Sequence, residues 1–144
     1  MQTSYTISSD KSRMDLGFIH DYLSTKAYWC LRIPFDTVRR AVEHSLCFGV
    51  FHGQQQVGFA RVITDYATIA YLGDVFIIPE HRGKGLSKEL MQAIMAHPDV
   101  QGMRRWILLT MDAHGLYRQF GWTPVEHPER YMEVANPNVY APKP

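Results

Sequence analysis

Arg82, Gly83, Lys84, Gly85 and Ser87 stand at the junction of an apolar run and an amphipathic one, within Val75 to Leu90 (VFIIPEHRGKGLSKEL). A glycine-bearing turn that leads into a helix gathers free backbone N–H groups at the positive end of the helix dipole. Such a point favours phosphate. Two nucleotide loops are excluded by spacing. A Walker loop needs GxxxxGK[ST], but Gly85 follows Lys84 and Ile78 stands where the first glycine belongs. A dinucleotide GxGxxG fails because Lys88 follows Gly83 and Gly85 at the third glycine position.

Position by position the turn instead fits [RQ]xxGx[GA], with Arg82 first, Gly85 in the middle and Ser87 last. It resembles the acetyl-CoA-binding turn of the GCN5-related N-acetyltransferases (GNAT family), with serine departing from their glycine or alanine. Serine is small enough to keep the backbone close to a pyrophosphate. Ala113 to Trp122 (AHGLYRQFGW) is similar to that family's AxxLYxxxGF segment and follows an apolar run. The order of elements from Tyr5 to Val134 resembles the family fold as well.

The resemblance implies roles. The strand carrying Val75, Phe76 and Ile77 is expected to splay from the one carrying Ile107 to Thr110, so that a pantetheine arm takes up the unpaired backbone groups as an added strand would. Arg82, Gly83, Lys84, Gly85, Leu86 and Ser87 would hold the pyrophosphate, with Thr110 and Ala113 as further cofactor contacts. Thr110 replaces the asparagine of many relatives. Tyr117 stands at the family's general acid. A phenol with a pKa of about 10 can protonate a departing thiolate whose own pKa is about 8.5. An attacking ammonium must also lose a proton. Asp74 and Asp65 come first as its acceptor, ahead of Glu80, His20 and His114. By period-two alternation Asp74 and Tyr71 face opposite sides of their strand. Tyr28, Trp29 and Arg32 lie where the family builds its acceptor wall.

These residues need a scaffold to position them. Tyr5 and Ile7 alternate with polar residues in a first short strand. Ser12 and Asp15 read as a capping box before a helix with Leu16, Ile19 and Leu23 on one face. Asp36 reads as the cap of a second helix whose inner face carries Val38, Val42 and Leu46. Residues 48–51 and 57–63 form an antiparallel hairpin about HGQQQ, and a third run, 70–78, stops at Pro79. A helix from Leu86 ends at His97 before Pro98. The apolar run 106–111 predicts a strand buried on both faces, parallel to its predecessor. A last helix, 113–120, is capped by Asp112 and closed by a left-handed Gly121. Residues 123–125 and 131–134 read as closing strands, and 136–144 as an extended tail.

The fold class is therefore α/β: a single domain over residues 1–144 with a mixed central sheet flanked by helices. At 46% hydrophobic and 20% charged residues the chain can bury a core unaided. A net charge of +1 and scattered basic residues argue against nucleic acid and anionic membrane as partners. The two cysteines, Cys30 and Cys47, make no CxxC pair and lie outside the motif segments, so no metal and no cysteine intermediate is expected. No apolar leader or spanning stretch is present, which predicts a cytoplasmic protein. The expected activity is direct acetyl transfer from acetyl-CoA to a primary amine, on a small molecule or a peptide. A non-catalytic CoA sensor and transfer of a larger acyl group are the alternatives. Relatives often form homodimers, and a homodimer is compatible with this chain.

Overall fold

Asp15 accepts a hydrogen bond from the Phe18 N–H (3.0 Å) and so opens the first helix, α1 (Leu16–Thr25). In the computed structural model, which describes residues 4–142, Ser12 belongs to the preceding 3-10 turn, capped by Asp10. The capping box expected from Ser12 and Asp15 is therefore two separate caps. The second helix, α2 (Phe35–Glu43), begins two residues earlier than expected, after Pro34. Pro34 has no side-chain acceptor, and Asp36 sits inside the first turn, paired with Arg39 at 2.7 Å. Its charge favours the positive helix end without capping it.

Five strands follow one another across a single sheet: β1 (Tyr5–Ser8), β2 (Leu46–His52), β3 (Gln55–Thr64), β4 (Ile69–Ile77) and β5 (Arg105–Leu108). The first four pair antiparallel, and β4 and β5 are parallel. Leu46, expected on the second helix, opens β2 instead. The hairpin turn is tighter than HGQQQ, because a left-handed Gly53 reverses the chain at once.

The helix linking the parallel strands is α3 (Leu86–Ala96); the last is α4 (His114–Arg118), only five residues long. Leu86, Leu90, Met91 and Ile94 of α3 bury one face of the sheet with Val50, Val57, Val62 and Leu72. On the other face α1 and α2 pack Ile19, Leu23, Val38 and Val42 against Phe59 and Phe76.

Two sequence expectations fail at the β5 edge. Neither 123–125 nor 131–134 pairs as a strand among the described residues, so β5 keeps a free outer edge. The strand is consequently not buried on both faces, and beyond it Leu109 and Met111 are 77% and 72% exposed. The segment after Arg130 runs along the surface with Met132 and Val134 fully exposed, until Tyr140 packs against the α1/α2 side of the core. Residues 143–144 of the expected tail lie outside the described residues.

Candidate active site

Parallel pairing of β4 with β5 runs from Ile69↔Arg105 to Leu72↔Leu108 and then stops. β4 continues to Ile77, so beyond Leu72 its edge toward β5 is unpaired. Val75, Phe76 and Ile77 occupy that unpaired stretch. On its other side β4 remains bound to β3, through Phe59↔Phe76 and Gly58↔Ile77. Gly58 is what lets the strands approach there: a Cβ would stand 2.6 Å from Ile77 Cδ1 and 3.0 Å from the Phe76 carbonyl oxygen.

Beyond the end of β4, a 3-10 turn leads to Arg82 and the glycine turn. Gly83 (φ +77°) and Gly85 (φ +76°) are both left-handed, and a Cβ built on either would meet nothing within 4 Å. The glycines are thus required by backbone geometry and leave open space over the loop. Gly85 caps α3 without any side-chain hydrogen bond, which leaves the first-turn N–H groups of α3 free of a capping acceptor. A cavity of about 340 Å³ lies at this point, with Ile77, Arg82, Gly83, Gly85, Ser87 and Leu116 in its wall.

Arg82 lines this cavity and is also held by the chain itself. Its Nε donates to the Ile77 carbonyl (2.7 Å) and an Nη to the Tyr22 hydroxyl (3.1 Å), while Tyr22 stacks on Phe76 at 3.8 Å. The guanidinium thus ties the turn to the end of β4 and to α1. Lys84 has no ion pair among the described residues and remains a cation at the turn. Thr110 likewise serves the chain itself: its hydroxyl accepts from the Ala113 N–H (3.0 Å), and Ala113, not Asp112, is the cap residue of α4.

The α4 segment places Leu116 at the glycine-turn cavity and Tyr117 at a second cavity beside β5. Tyr117 is 8% exposed and packs with Trp122, ring centroids 6.0 Å apart. Burial, and behind it the negative charge of Asp112, push its phenol above the ordinary tyrosine value. The group stays protonated, as a proton donor must. Gly121 is left-handed (φ +88°) and closes the helix as expected.

Asp74 and Trp29, 45 residues apart in sequence, are brought together. The Trp29 indole N–H donates to Asp74 Oδ1 (2.8 Å), and Arg61 Nε donates to Asp74 Oδ2 (2.8 Å). Arg61 also reaches the Ser45 hydroxyl (3.2 Å). Tyr28 stands edge-on to Trp29 at 5.0 Å, and both rings are exposed. Arg32 is exposed and left-handed (φ 67°), anchored through its N–H to the Ser24 carbonyl, without an ion pair among the described residues.

The expectation that Tyr71 and Asp74 face opposite sides is overturned. Between Phe59↔Phe76 and Arg61↔Gly73 the β3–β4 register slips, and Asp74 is left-handed (φ 55°). This bulge inserts one residue into β4 and shifts the alternation. Asp74 therefore turns to the face of Tyr71 and Arg61, and the half-buried phenol of Tyr71 is raised first by desolvation and then by the charge of Asp74. Arg61 was missed by sequence reasoning. Its signal was a lone cation inside the apolar strand run GFARVI, which calls for a partner.

Of the other base candidates Asp65 and His20 are occupied, whereas Glu80 and His114 make no side-chain hydrogen bond or ion pair among the described residues, and His114 lines the cavity that Tyr117 also lines. Asp65 accepts from the N–H groups of Ala67 (2.9 Å) and Thr68 (2.7 Å) and from the Thr68 hydroxyl (2.6 Å), which holds its carboxyl far below the usual range and builds the β3–β4 turn. His20 bonds the Ile33 carbonyl through Nε2 (3.0 Å).

Residues 16–122 match the Acetyltransferase (GNAT) family, and the chain belongs to that family. A Xanthomonas campestris pv. campestris protein described as belonging to the GNAT family is 54% identical, with a TM-score of 0.94 over 99% of this chain and 100% of that one. A Gibberella zeae protein named as acetyltransferase FG08082 is 31% identical over 78% of this chain and 75% of its own length. A Clostridium acetobutylicum structure described with acetyl-CoA shares the fold at 13% identity, with a TM-score of 0.67 over 92% of this chain and 95% of that one. No described helix is long and apolar enough to cross a membrane.

Proposed function

We propose that this acetyltransferase moves an acetyl group from acetyl-CoA directly to a primary amine. The observation that carries the reading is the parting of β4 from β5 after Leu72↔Leu108, next to a glycine turn whose N–H groups are open. A strand-like arm ending in a pyrophosphate satisfies both sets of groups. Val75 to Ile77 would bind the arm, and Gly83 to Ser87 with Lys84 the phosphates. Arg82 would act by holding the turn in place. The acetyl-CoA named with the Clostridium acetobutylicum relative agrees with this ligand.

When bound, acetyl-CoA supplies the acetyl group as a thioester with a thiolate leaving group. The chain's residues do the rest. The Tyr117 hydroxyl gives its proton to the sulfur as the C–S bond breaks and the C–N bond forms. Asp74 takes the proton that the amine sheds: each carboxylate oxygen already accepts one bond, and its second lone-pair site remains available. Tyr28 and Trp29 form an aromatic wall where an ammonium is attracted to a ring face. Arg32 sits beside this wall in sequence and favours an acceptor that also carries an anionic part.

Isothermal titration with acetyl-CoA, CoA and a larger acyl-CoA tests the donor, and thiol release across a panel of amines tests the transfer. Binding without turnover on any amine would replace the transferase with a CoA sensor. Absence of binding would remove the donor assignment.

A further inference from the structure

The order of residues along β4 says from where an acceptor must come. With the phosphates at Gly83 to Ser87 and the arm running back from Ile77 to Val75, the reacting end falls at Asp74. Whatever is acetylated then lies over the part of β4 that precedes Asp74.

That part of the sheet is an uncovered apolar face. Ile63 of β3, Tyr71 of β4 and Ile107 of β5 are register partners, so their side chains form one row across three strands. Ile69, two residues before Tyr71, lies on the same face. None of the four belongs to or packs against either side of the core among the described residues. Ile63 and Ile69 are 45% and 38% exposed, and Tyr71 and Ile107 are half-buried. Helices α1 and α2 cover this face of β3 and β4 at Phe59 and Phe76 and leave the row bare. A Cβ on Gly73 would stand 3.3 Å from Tyr71 Cε1, so the glycine gives that ring room to lean along β4 toward Asp74. The row therefore ends at a carboxylate that Trp29 and Arg61 hold in place.

The size of the row selects its occupant. Side chains on three neighbouring strands spread over about 10 Å, the width of one ring or branched alkyl group. Arg61, opposite Gly73, and Arg105, opposite Ile69, bound it with charge. A stable protein interface needs about 800 Å² from each partner, far more than this row offers.

We propose, on the acetyltransferase reading, that the acceptor is a small primary amine carried on an apolar body, an arylalkylamine by chemical class. Its ring lies on Ile63, Tyr71 and Ile107, and its nitrogen meets Asp74 beside Tyr28 and Trp29. The nitrogen loses its proton to Asp74 and bonds to the acetyl carbon as the C–S bond breaks and CoA leaves as the thiol; the ring takes no part in the chemistry. An apolar lining with a few convergent polar groups is the usual make-up of a small-molecule site. Sugar amines and polyamines gain nothing from such a row, because they have no apolar surface to remove from water.

Thiol release from acetyl-CoA by the full chain compares 2-phenylethylamine with spermidine and with 2-(2-aminoethoxy)ethanol, a polar amine of similar length. The ring amine should lead in kcat/KM by about tenfold or more, within what one apolar group supplies in a pocket. Equal or faster turnover of the polar amines overturns the inference and keeps the transferase. Ile63→Ser and Ile69→Ser change exposed positions and open no core, so both should stay folded by circular dichroism. Each should raise KM for 2-phenylethylamine by about threefold or more. An unchanged KM in both variants puts the ring elsewhere and overturns the row. Titration calorimetry of 2-phenylethylamine into the protein with CoA reads binding apart from turnover. Binding without thiol release keeps the row and removes the transfer, whereas neither binding nor release overturns the inference.

Discussion

Replacing Asp74 should separate its charge, its backbone conformation and its chemistry. The carboxylate joins Arg61 and Trp29 at 2.8 Å each, and the side chains of Arg61 and Asp74 are 19% and 13% exposed. Breaking a buried ion pair by deleting one partner costs about 3–5 kcal/mol, and the residual exposure here places Asp74→Ala near the lower end, at about 3. Alanine must also hold the left-handed φ of 55° for about 1 kcal/mol more. Asp74→Ala should therefore lose about 4 kcal/mol, a large share of the roughly 5–15 kcal/mol of a natural domain. Asn at this position keeps an acceptor for Trp29 and tolerates the left-handed region, so Asp74→Asn should lose only the charge-assisted part, about 1–2 kcal/mol. Urea unfolding followed by circular dichroism measures both. A loss below about 1 kcal/mol for Asp74→Ala, or equal losses for the two variants, would refute the bulge-and-clamp account. The chemistry is read in the variant that stays folded. If Asp74 takes the amine's proton, Asp74→Asn should lower kcat by about 100-fold or more, and a kcat within twofold of wild type would remove it from the reaction.

Tyr117→Phe should lower kcat by about 100-fold and leave acetyl-CoA affinity unchanged by titration calorimetry; unchanged turnover would exclude the phenol as the acid. Because burial keeps that phenol protonated, the pH–rate profile should show no descending limb from it below about pH 10. Gly85→Ala meets no steric neighbour and should cost about 1 kcal/mol in stability from its positive φ, while weakening acetyl-CoA by at least about tenfold by placing a methyl group in the space over the turn; affinity equal to wild type would move the phosphates elsewhere. Burial pushes Cys30 up to about 12 and Cys47 up to about 11. Their folded values lie above the unfolded one, so the stability they contribute is complete below about pH 8.5 and is lost progressively from there up to the folded values, on the order of 1–2 kcal/mol per thiol by pH 10. Urea midpoints from pH 7 to 10 should fall, and should fall less in a Cys30→Ala/Cys47→Ala variant; identical slopes would refute this assignment.

What could be read from the sequence were the features fixed by local chemistry. Gly83 and Gly85 announce left-handed backbone, the Ser87 to Ile94 pattern announces a helix, and Pro98 its end, so the turn and its helix fall where spacing puts them. The hairpin, the parallel strand after α3 and the left-handed Gly121 follow from the same local rules. Caps were less legible. Asp15, Asp36 and Asp112 all suit a cap in isolation, but only Asp15 has the geometry, because a cap depends on where the preceding backbone enters.

Only the tertiary structure decided which partners the polar residues found. Period-two alternation places Asp74 away from Tyr71, and one bulge residue, whose carboxylate accepts from Arg61 and Trp29, reverses that. Arg82 and Thr110 read as ligand contacts in the sequence, and only the fold adds that Ile77, Tyr22 and Ala113 come within reach of them. The β5 edge is the same lesson in apolar form: 106–111 reads as a buried strand and 131–134 as a closing one, but each needs a neighbour, and pairing between distant segments is a property of the assembled fold. Composition and spacing determined the elements and the glycine turn; long-range pairing determined the Trp29–Asp74–Arg61 cluster and the open edge.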